Sequence, residues 1–474
     1  MLKIVVLCYK INSFKQVFAE VRLYYVNMMN KEFKKKLWEI ALPVTVQFLM
    51  QASLSLIDQI MIGSMGSECI AGIGLAGKFT SLFTVTVAAI VTAAGILISQ
   101  YWGAKDSYGV RDSFYLPLYF SSLLVVVFFA FSVFAPVQVM RFYSDDSITV
   151  FKAAKYLKIR ALGYFPSIFS LFVSCVLRNM NRAKLPAVAG VAAILTNTIM
   201  NWFLIYGIWI FPRMEEAGAA LATVISQCVE MIIICSLFVL EKRKKNLFMR
   251  PTLHFKKDFL LKTLSVMWPI LVGEALWALS ENMYAVIYGH LGTEPCAAMT
   301  LMYPIQGIAI GALCGVANAS GIIVGNSLGA GRDEDAWAEA KNFVSLTVRA
   351  GLVIGAAVCA LAPLYVRLFN VAPETRAVTV KILFAFAFVF TAKVFNMVVG
   401  GGVLQSGGQT KFMTAVNITG PWIFGVPMGF FSAYVLKLPI WWVYLILSME
   451  EFVRLVISVF LLKSRRWMKN ITVQ

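Results

Sequence analysis

Apolar runs of about 20 residues or more, the length a helix needs to cross some 30 Å of hydrocarbon, recur from about residue 37 to residue 462. They are continuously apolar. Membrane-spanning barrel strands would instead show segments of about ten residues alternating apolar and polar, so a closed barrel is excluded. The fold class that remains is an all-α membrane protein. Composition supports this: 59% of the 474 residues are hydrophobic and 14% charged, against about a quarter charged in soluble domains.

Gly, Pro and charge punctuate the runs into twelve spans, approximately 37–62, 70–102, 113–139, 149–177, 184–207, 217–240, 262–288, 296–328, 340–365, 378–404, 411–436 and 440–462. The net charge of +18 resides largely at span ends. Loops after even-numbered spans and both tails are dense in Lys and Arg, whereas the opposite loops hold only Arg141, Arg213, Arg367, Arg376 and Lys437. Lys/Arg bias in short loops sets orientation, so both termini and the basic linker 241–261 are expected in the cytoplasm, with the protein in the plasma (inner) membrane. That linker reads as an orientation signal drawn to anionic lipid, not as a nucleic-acid site. Its His254 and Asp258 form an isolated HxxxD spacing without a supporting site. Residues 1–28 lack a small-residue cleavage site, and Met28–Met29 precede a basic stretch where translation is expected to start. The eight cysteines are scattered with no CxxC pair or metal-type spacing and read as packing residues.

The two halves repeat one another. Pro43 and Pro269, Gly63 and Gly289, Gly66 and Gly292, and Glu68 and Glu294 each stand 226 residues apart, and Gly95–Ala104 overlies Gly321–Ala330 in the same register. Farther on, Val176–Leu177 and Lys184 match Val403–Leu404 and Lys411 at 227. Six spans per half is an even number, so both halves enter the membrane from the same side. The expected architecture is two parallel six-helix lobes, 37–240 and 262–463, related by a pseudo-two-fold axis along the membrane normal, with segments 1–36 and 464–474 outside them. Such a pair of bundles encloses a cleft that rocking can open to either side.

The residues that carry a family pattern are Leu42–Pro43, Gln51 and Leu56–Gly63, then Gly72–Ala76 and Ile98–Lys105. Asn197–Asn201, Gly218–Gln227, Ile323–Gly331 and Gly407–Phe412 follow in order. Over about residues 35–465 the chain resembles the multidrug and toxic compound extrusion family. The resemblance implies two six-helix lobes and export of cationic or amphipathic organic compounds, driven by inward H+ or Na+. The same superfamily contains lipid-linked oligosaccharide flippases, the alternative reading. A membrane-embedded enzyme is disfavoured, since the spans offer no His, no metal cluster and no nucleophile with a recognisable base.

Candidate coupling residues are the polar groups inside spans. Asp58 and Gln51 lie two turns apart on one face of the first span, and an Asp at a helix centre costs on the order of 2.5–3.5 kcal/mol on insertion scales, so it should face a cavity or partner. Family members use an Asp at this place. Asn197 and Asn201, at i and i+4, project from one face of the fifth span and either solvate Asp58 or join helices. In part of the family the second position is Asp, so Asn201 removes a carboxylate. Thr223 and Tyr164 are placed near the same cavity. In the second half, Glu274 and Trp277 are i, i+3 neighbours that suit an organic cation, unless Lys393 neutralises Glu274. Sodium-coupled relatives carry a Glu near Trp277. Glu281, Asn396 and Asn417 complete this set, while Glu450, Glu451 and Arg454 read as a self-neutralising group. Lys152, Lys155, Lys158 and Arg160 are expected to snorkel to the interface. The chain is therefore expected to work as a monomeric antiporter in membrane lipid, taking a small organic substrate and H+ or Na+, without other cofactor, metal or nucleic acid.

Overall fold

The computed structural model describes residues 31–473 apart from 64–66, 144–145, 209, 245–249, 290, 292 and 369–372. The side chains of 52–60, Asp58 among them, and of a few other helical residues lie outside the described residues. Among the described residues all regular structure is helical. In chain order the first half holds α1 (Lys31–Gly63), α2 (Ser67–Gly103), α3 (Ser107–Phe134), α4 (Ser147–Ala161, continuing as Tyr164–Asn179), α5 (Lys184–Tyr206) and α6 (Glu216–Lys244). The second half holds α7 (Lys257–Gly289), α8 (Thr293–Gly329), α9 (Asp333–Tyr365) and α10 (Pro373–Phe395, running into a π-helical stretch Asn396–Leu404). It closes with α11, which begins as Thr410–Thr419 and continues through π-helical turns to Val435, and α12, Ile440–Ser448 with Glu450–Ser464. Among the described residues eight helices are long and apolar enough to cross a membrane, or nine if the two parts of α4, bent by 49°, form one span.

Helices begin before the apolar runs and end after them, because backbone hydrogen bonding continues past the hydrophobic limit. Thus α6 reaches Lys244, α7 starts at Lys257 and α9 at Asp333. Local chemistry sets several ends. The Asp106 carboxylate accepts from the Tyr108 and Gly109 N–H groups, both at 3.0 Å, and caps α3. Gly207, at φ +70°, ends α5 in the left-handed region. The widened turns of α10 and α11 fall on Gly400–Gly402 and on Gly420–Pro421, residues that loosen the regular hydrogen-bond ladder.

The halves meet through α1 against α8 and α7 against α2. Phe33 of α1 packs edge-on against Phe343 of α9, with ring centroids 5.2 Å apart, and its repeat mate Phe259 of α7 lies 6.0 Å from Tyr101 of α2. The seam closes at the ends of α2 and α8. A Cβ at Gly103 would stand 2.0 Å from Asn326 O, and one at its mate Gly329 would stand 1.9 Å from Gln100 O. Gln100 and Asn326 are themselves mates, 226 residues apart. This reciprocal contact is what a two-fold axis along the helices produces, and only glycine lets the backbones approach so closely. Along α8 the contact then loosens. At Gly315 a Cβ would be 2.1 Å from Ala41 O, whereas at Gly311, one turn on, the nearest described atom is Leu49 Cδ2 at 3.8 Å. The two halves therefore touch backbone to backbone at one end, and the contact relaxes to ordinary side-chain packing by Gly311.

Candidate functional site

The densest polar group inside the bundle lies in the second half, between α7, α10, α11 and α12. Glu451, 4% exposed, is its centre. Its Oε1 lies 3.4 Å from Lys393 Nζ, and its Oε2 lies 3.4 Å from Arg454 Nη1. Asn396 Nδ2 donates to the same Oε2 and to the Glu451 backbone carbonyl, both at 2.8 Å. Arg454 Nη2 donates to Asn417 Oδ1 at 2.8 Å, which ties α12 to α11. These charge-assisted bonds satisfy one carboxylate several times over.

Glu450, 5% exposed, is served differently: it takes no part in the ion pairs of Glu451, and its carboxylate faces the Tyr284 hydroxyl. Both line a cavity of about 40 Å³, room for a water molecule or an ion, together with Glu281, Gln306, Lys393 and Ser448. Glycines of the widened α11 make this approach feasible. A Cβ at Gly425 would stand 2.1 Å from Tyr284 Oη, and one at Gly420 would stand 2.7 Å from Arg454 Cδ. Glu281, Glu450 and Glu451 face two cations, Lys393 and Arg454, and Glu274 lies within electrostatic reach of Arg454. Carboxylates outnumber bases, which is chemistry for a proton or another cation.

Several expectations change here. Lys393 is paired with Glu451 and not with Glu274, because the end of α10 packs on α12 and brings the ammonium to that carboxylate. Arg454 pairs with Glu451 at i, i+3 as expected, yet Glu450 stays outside that self-neutralising pair. Trp277 is 40% exposed. Tyr284 and the cavity beside Glu450 had no counterpart in the sequence argument. A tyrosine among apolar residues gives no signal of its own, although its i, i+3 spacing from Glu281 could have drawn notice.

In the first half, Asn201 Nδ2 donates to Asn197 Oδ1 at 3.2 Å and Asn197 Nδ2 donates to Thr223 Oγ1 at 3.4 Å, a chain of amides from α5 to α6. Gln51 is exposed, and the Asp58 carboxylate that these groups were expected to solvate lies outside the described residues. Tyr164 is fully buried in the core, its hydroxyl 3.4 Å from Thr80 Oγ1 and its ring under the Arg160 guanidinium at 5.8 Å. The α4 cations do not simply snorkel. Lys155 Nζ lies 2.9 Å from Glu216 Oε1, Arg160 Nη1 donates to Gln227 Oε1 at 3.0 Å, and Lys152 Nζ donates to Cys69 Sγ at 3.2 Å. Polar partners on α6 and α2 lie within reach of these long side chains, and Lys155 meets Glu216 while its side chain stays 47% exposed. Cys69 is accordingly part of a polar cluster rather than plain packing.

Known proteins agree with this architecture. The MatE family description matches residues 43–203 and again 269–431, two stretches that begin at the repeat mates Pro43 and Pro269. The multidrug resistance protein NorM of Burkholderia vietnamiensis is 23% identical over 85% of this chain and 88% of its own. Multidrug and toxin extrusion protein 1 of Xenopus tropicalis is 22% identical over 95% and 78%. A structure described as the outward-facing conformation of a multidrug resistance MATE family transporter covers 91% of this chain and 96% of its own, at TM-score 0.82 and 19% identity. Two copies of the matched unit, in the register of the internal repeat and covering most of both lobes, make the chain a member of the MatE family of membrane multidrug efflux transporters.

Proposed function

We propose that the protein is a secondary antiporter that exports small organic cations or amphipathic compounds in exchange for inward H+ or Na+. The observation that carries this reading is the seam: twofold-related glycines bring the lobes into backbone contact at one end, while the α1–α8 approach is looser at Gly311 than at Gly315. Rocking about that seam exposes the cleft to each side in turn. The Lys/Arg bias supports a cytoplasmic position for the closed end, both tails and the 250–256 loop, and on that reading the conformation is outward-facing.

Asp58 is assigned as the main coupling acid from its mid-span position and its match to the family pattern, with Gln51 two turns before it; the linked Asn201, Asn197 and Thr223 are the polar groups proposed to serve it. Uphill export of a cation needs a downhill ion, and each charge crossing the membrane potential supplies about 2.3 kcal/mol per 100 mV. The excess of carboxylates at Glu274, Glu281 and Glu450 attracts a cationic substrate, which Trp277 can stack against. A flippase for anionic lipid-linked sugars would instead gather Arg and Lys around its cleft, so the exporter is favoured. The test is efflux of a panel of fluorescent cations from proteoliposomes under imposed H+ or Na+ gradients. Asp58→Asn should reach the membrane and lose uphill efflux. Wild-type accumulation by that variant, with loss in Glu274→Gln, would move the coupling site to the second lobe.

A further inference from the structure

At the closed end of the bundle the chain lays its own tail across the seam. Trp467 is buried in a cluster drawn mainly from the second lobe together with α1, its Nε1 donating to Leu462 O at 3.2 Å, while Ile471 is buried in a cluster built chiefly from α2, α3 and α4 of the first lobe with the start of α7. Between them runs Gln100 of α2, wholly buried. Its Nε2 donates to Ser406 O at 2.6 Å and to Lys469 O at 3.0 Å, and its Oε1 accepts the Ile471 N–H at 2.6 Å. Lys262 Nζ donates to Ile471 O at 2.7 Å. Gly407 and Gly408 admit the tail: a Cβ at Gly407 would stand 1.7 Å from Trp467 O, and Gly408 takes φ +72° beneath Ile471.

The internal repeat supplies an independent control. The mates of Gln100, Lys262 and Gly408 are Asn326, Lys36 and Asn181, the last also left-handed at φ +60°. Those three mates line an open cavity of about 380 Å³ at the same end, and Asn326 Oδ1 has no partner among the described residues. The same groove thus occurs twice, filled by the tail on one side of the axis and open among the described residues on the other. Among the described residues the twin groove does without the contacts that the tail supplies here.

We propose that Arg465–Thr472 is a detachable strap that holds the lobes shut at this end. It rests on the exchanger reading, because a cleft that opens toward the tail must separate Gln100 from Ser406, and with them Ile471 from Trp467. The strap therefore biases the resting transporter toward the conformation described, and release of the Lys469–Ile471 stretch from Gln100 accompanies each opening of this end.

Spin labels at the exposed mates Ala104 and Ala330, beyond the ends of α2 and α8, read the seam directly in lipid nanodiscs. The full chain should give one dominant short distance. A chain ending at Arg465 should raise the long-distance population on the order of tenfold, as loss of several hydrogen bonds to one conformation requires. If that chain is not recovered, Ile471→Asp in the full chain carries the same expectation. An unchanged distance distribution in the folded variant, even with lower thermal stability, overturns the proposal by reducing the tail to a structural role. Cation efflux by the full chain, measured in parallel, tests the exchanger reading separately.

Discussion

Lys393 Nζ stands 3.4 Å from Glu451 Oε1, so the single cation of the inner part of α10 is committed to α12 and not to the acids of α7. Arg454 is committed to the same carboxylate. Two bases held by one acid leave the neighbouring Glu450 to face Tyr284 and the cavity, so the row of charges divides into a paired triad and one carboxylate at the cavity wall.

Breaking the pair should be costly because it strands a buried charge. Glu451→Gln is expected to destabilise the protein by about 3–5 kcal/mol, whereas Lys393→Met combined with Glu451→Gln loses less than the sum of the two single changes. Thermal unfolding of the four proteins in one detergent gives the coupling energy. Additive losses would show that the two groups do not interact.

Gly103→Ala and Gly329→Ala each place a Cβ within 2.0 Å of a backbone carbonyl across the seam, and a backbone cannot yield as a flexible side chain does. Both variants should keep normal membrane levels while efflux falls at least about tenfold, since the closed end no longer shuts. Gly401→Ala, where a Cβ meets nothing within 4 Å, is the matched control and should retain wild-type transport.

At Gly425 the added methyl would press on the Tyr284 hydroxyl at 2.1 Å, at the edge of the Glu450 cavity. Gly425→Ala should therefore shift the pH or sodium dependence of efflux, and Gly425→Ala with Tyr284→Phe should recover part of it by removing the atom in the way. Unaltered ion dependence in Gly425→Ala would detach this cavity from coupling.

Asp146 caps α4 by accepting from the Thr149 N–H at 3.0 Å and from the Thr149 hydroxyl, bonds that hold its carboxyl below the usual range. A depressed pKa stabilises the fold above the ordinary Asp value near 3.9, and the stabilisation disappears as pH falls through the lower folded value. Asp146→Ala should accordingly lower the melting temperature at pH 7, and the gap to wild type should narrow below about pH 4.

Orientation can be read with an impermeant thiol reagent. His254→Cys, in the exposed loop between α6 and α7 and the sole reactive thiol of a cysteine-replaced chain, should be modified in inverted vesicles and protected in intact cells. Modification in intact cells would reverse the assigned sidedness.

Much of the architecture was legible because its causes are local. Continuous apolar runs demand helices in lipid, and the matched Pro, Gly and Glu positions announce a duplicated unit. Helical geometry alone also joined Asn197 to Asn201 and Glu451 to Arg454, since four and three residues bring side chains onto one face. Their partners on other helices were another matter.

By itself, then, the sequence determined the class, the number of halves and their parallel relation, since hydrophobic length and periodic identity do not depend on which helix lies beside which. Only the tertiary structure decided that Lys393 answers Glu451 rather than Glu274, that Arg160 donates to Gln227, and that the tail seals Gln100. Each of these is a choice among equally charged or equally polar groups far apart in the chain. Coulomb attraction and hydrogen bonding make that choice by distance, and distance is set by helix packing, to which glycines such as Gly103, Gly329 and Gly425 contribute by the side chain they lack.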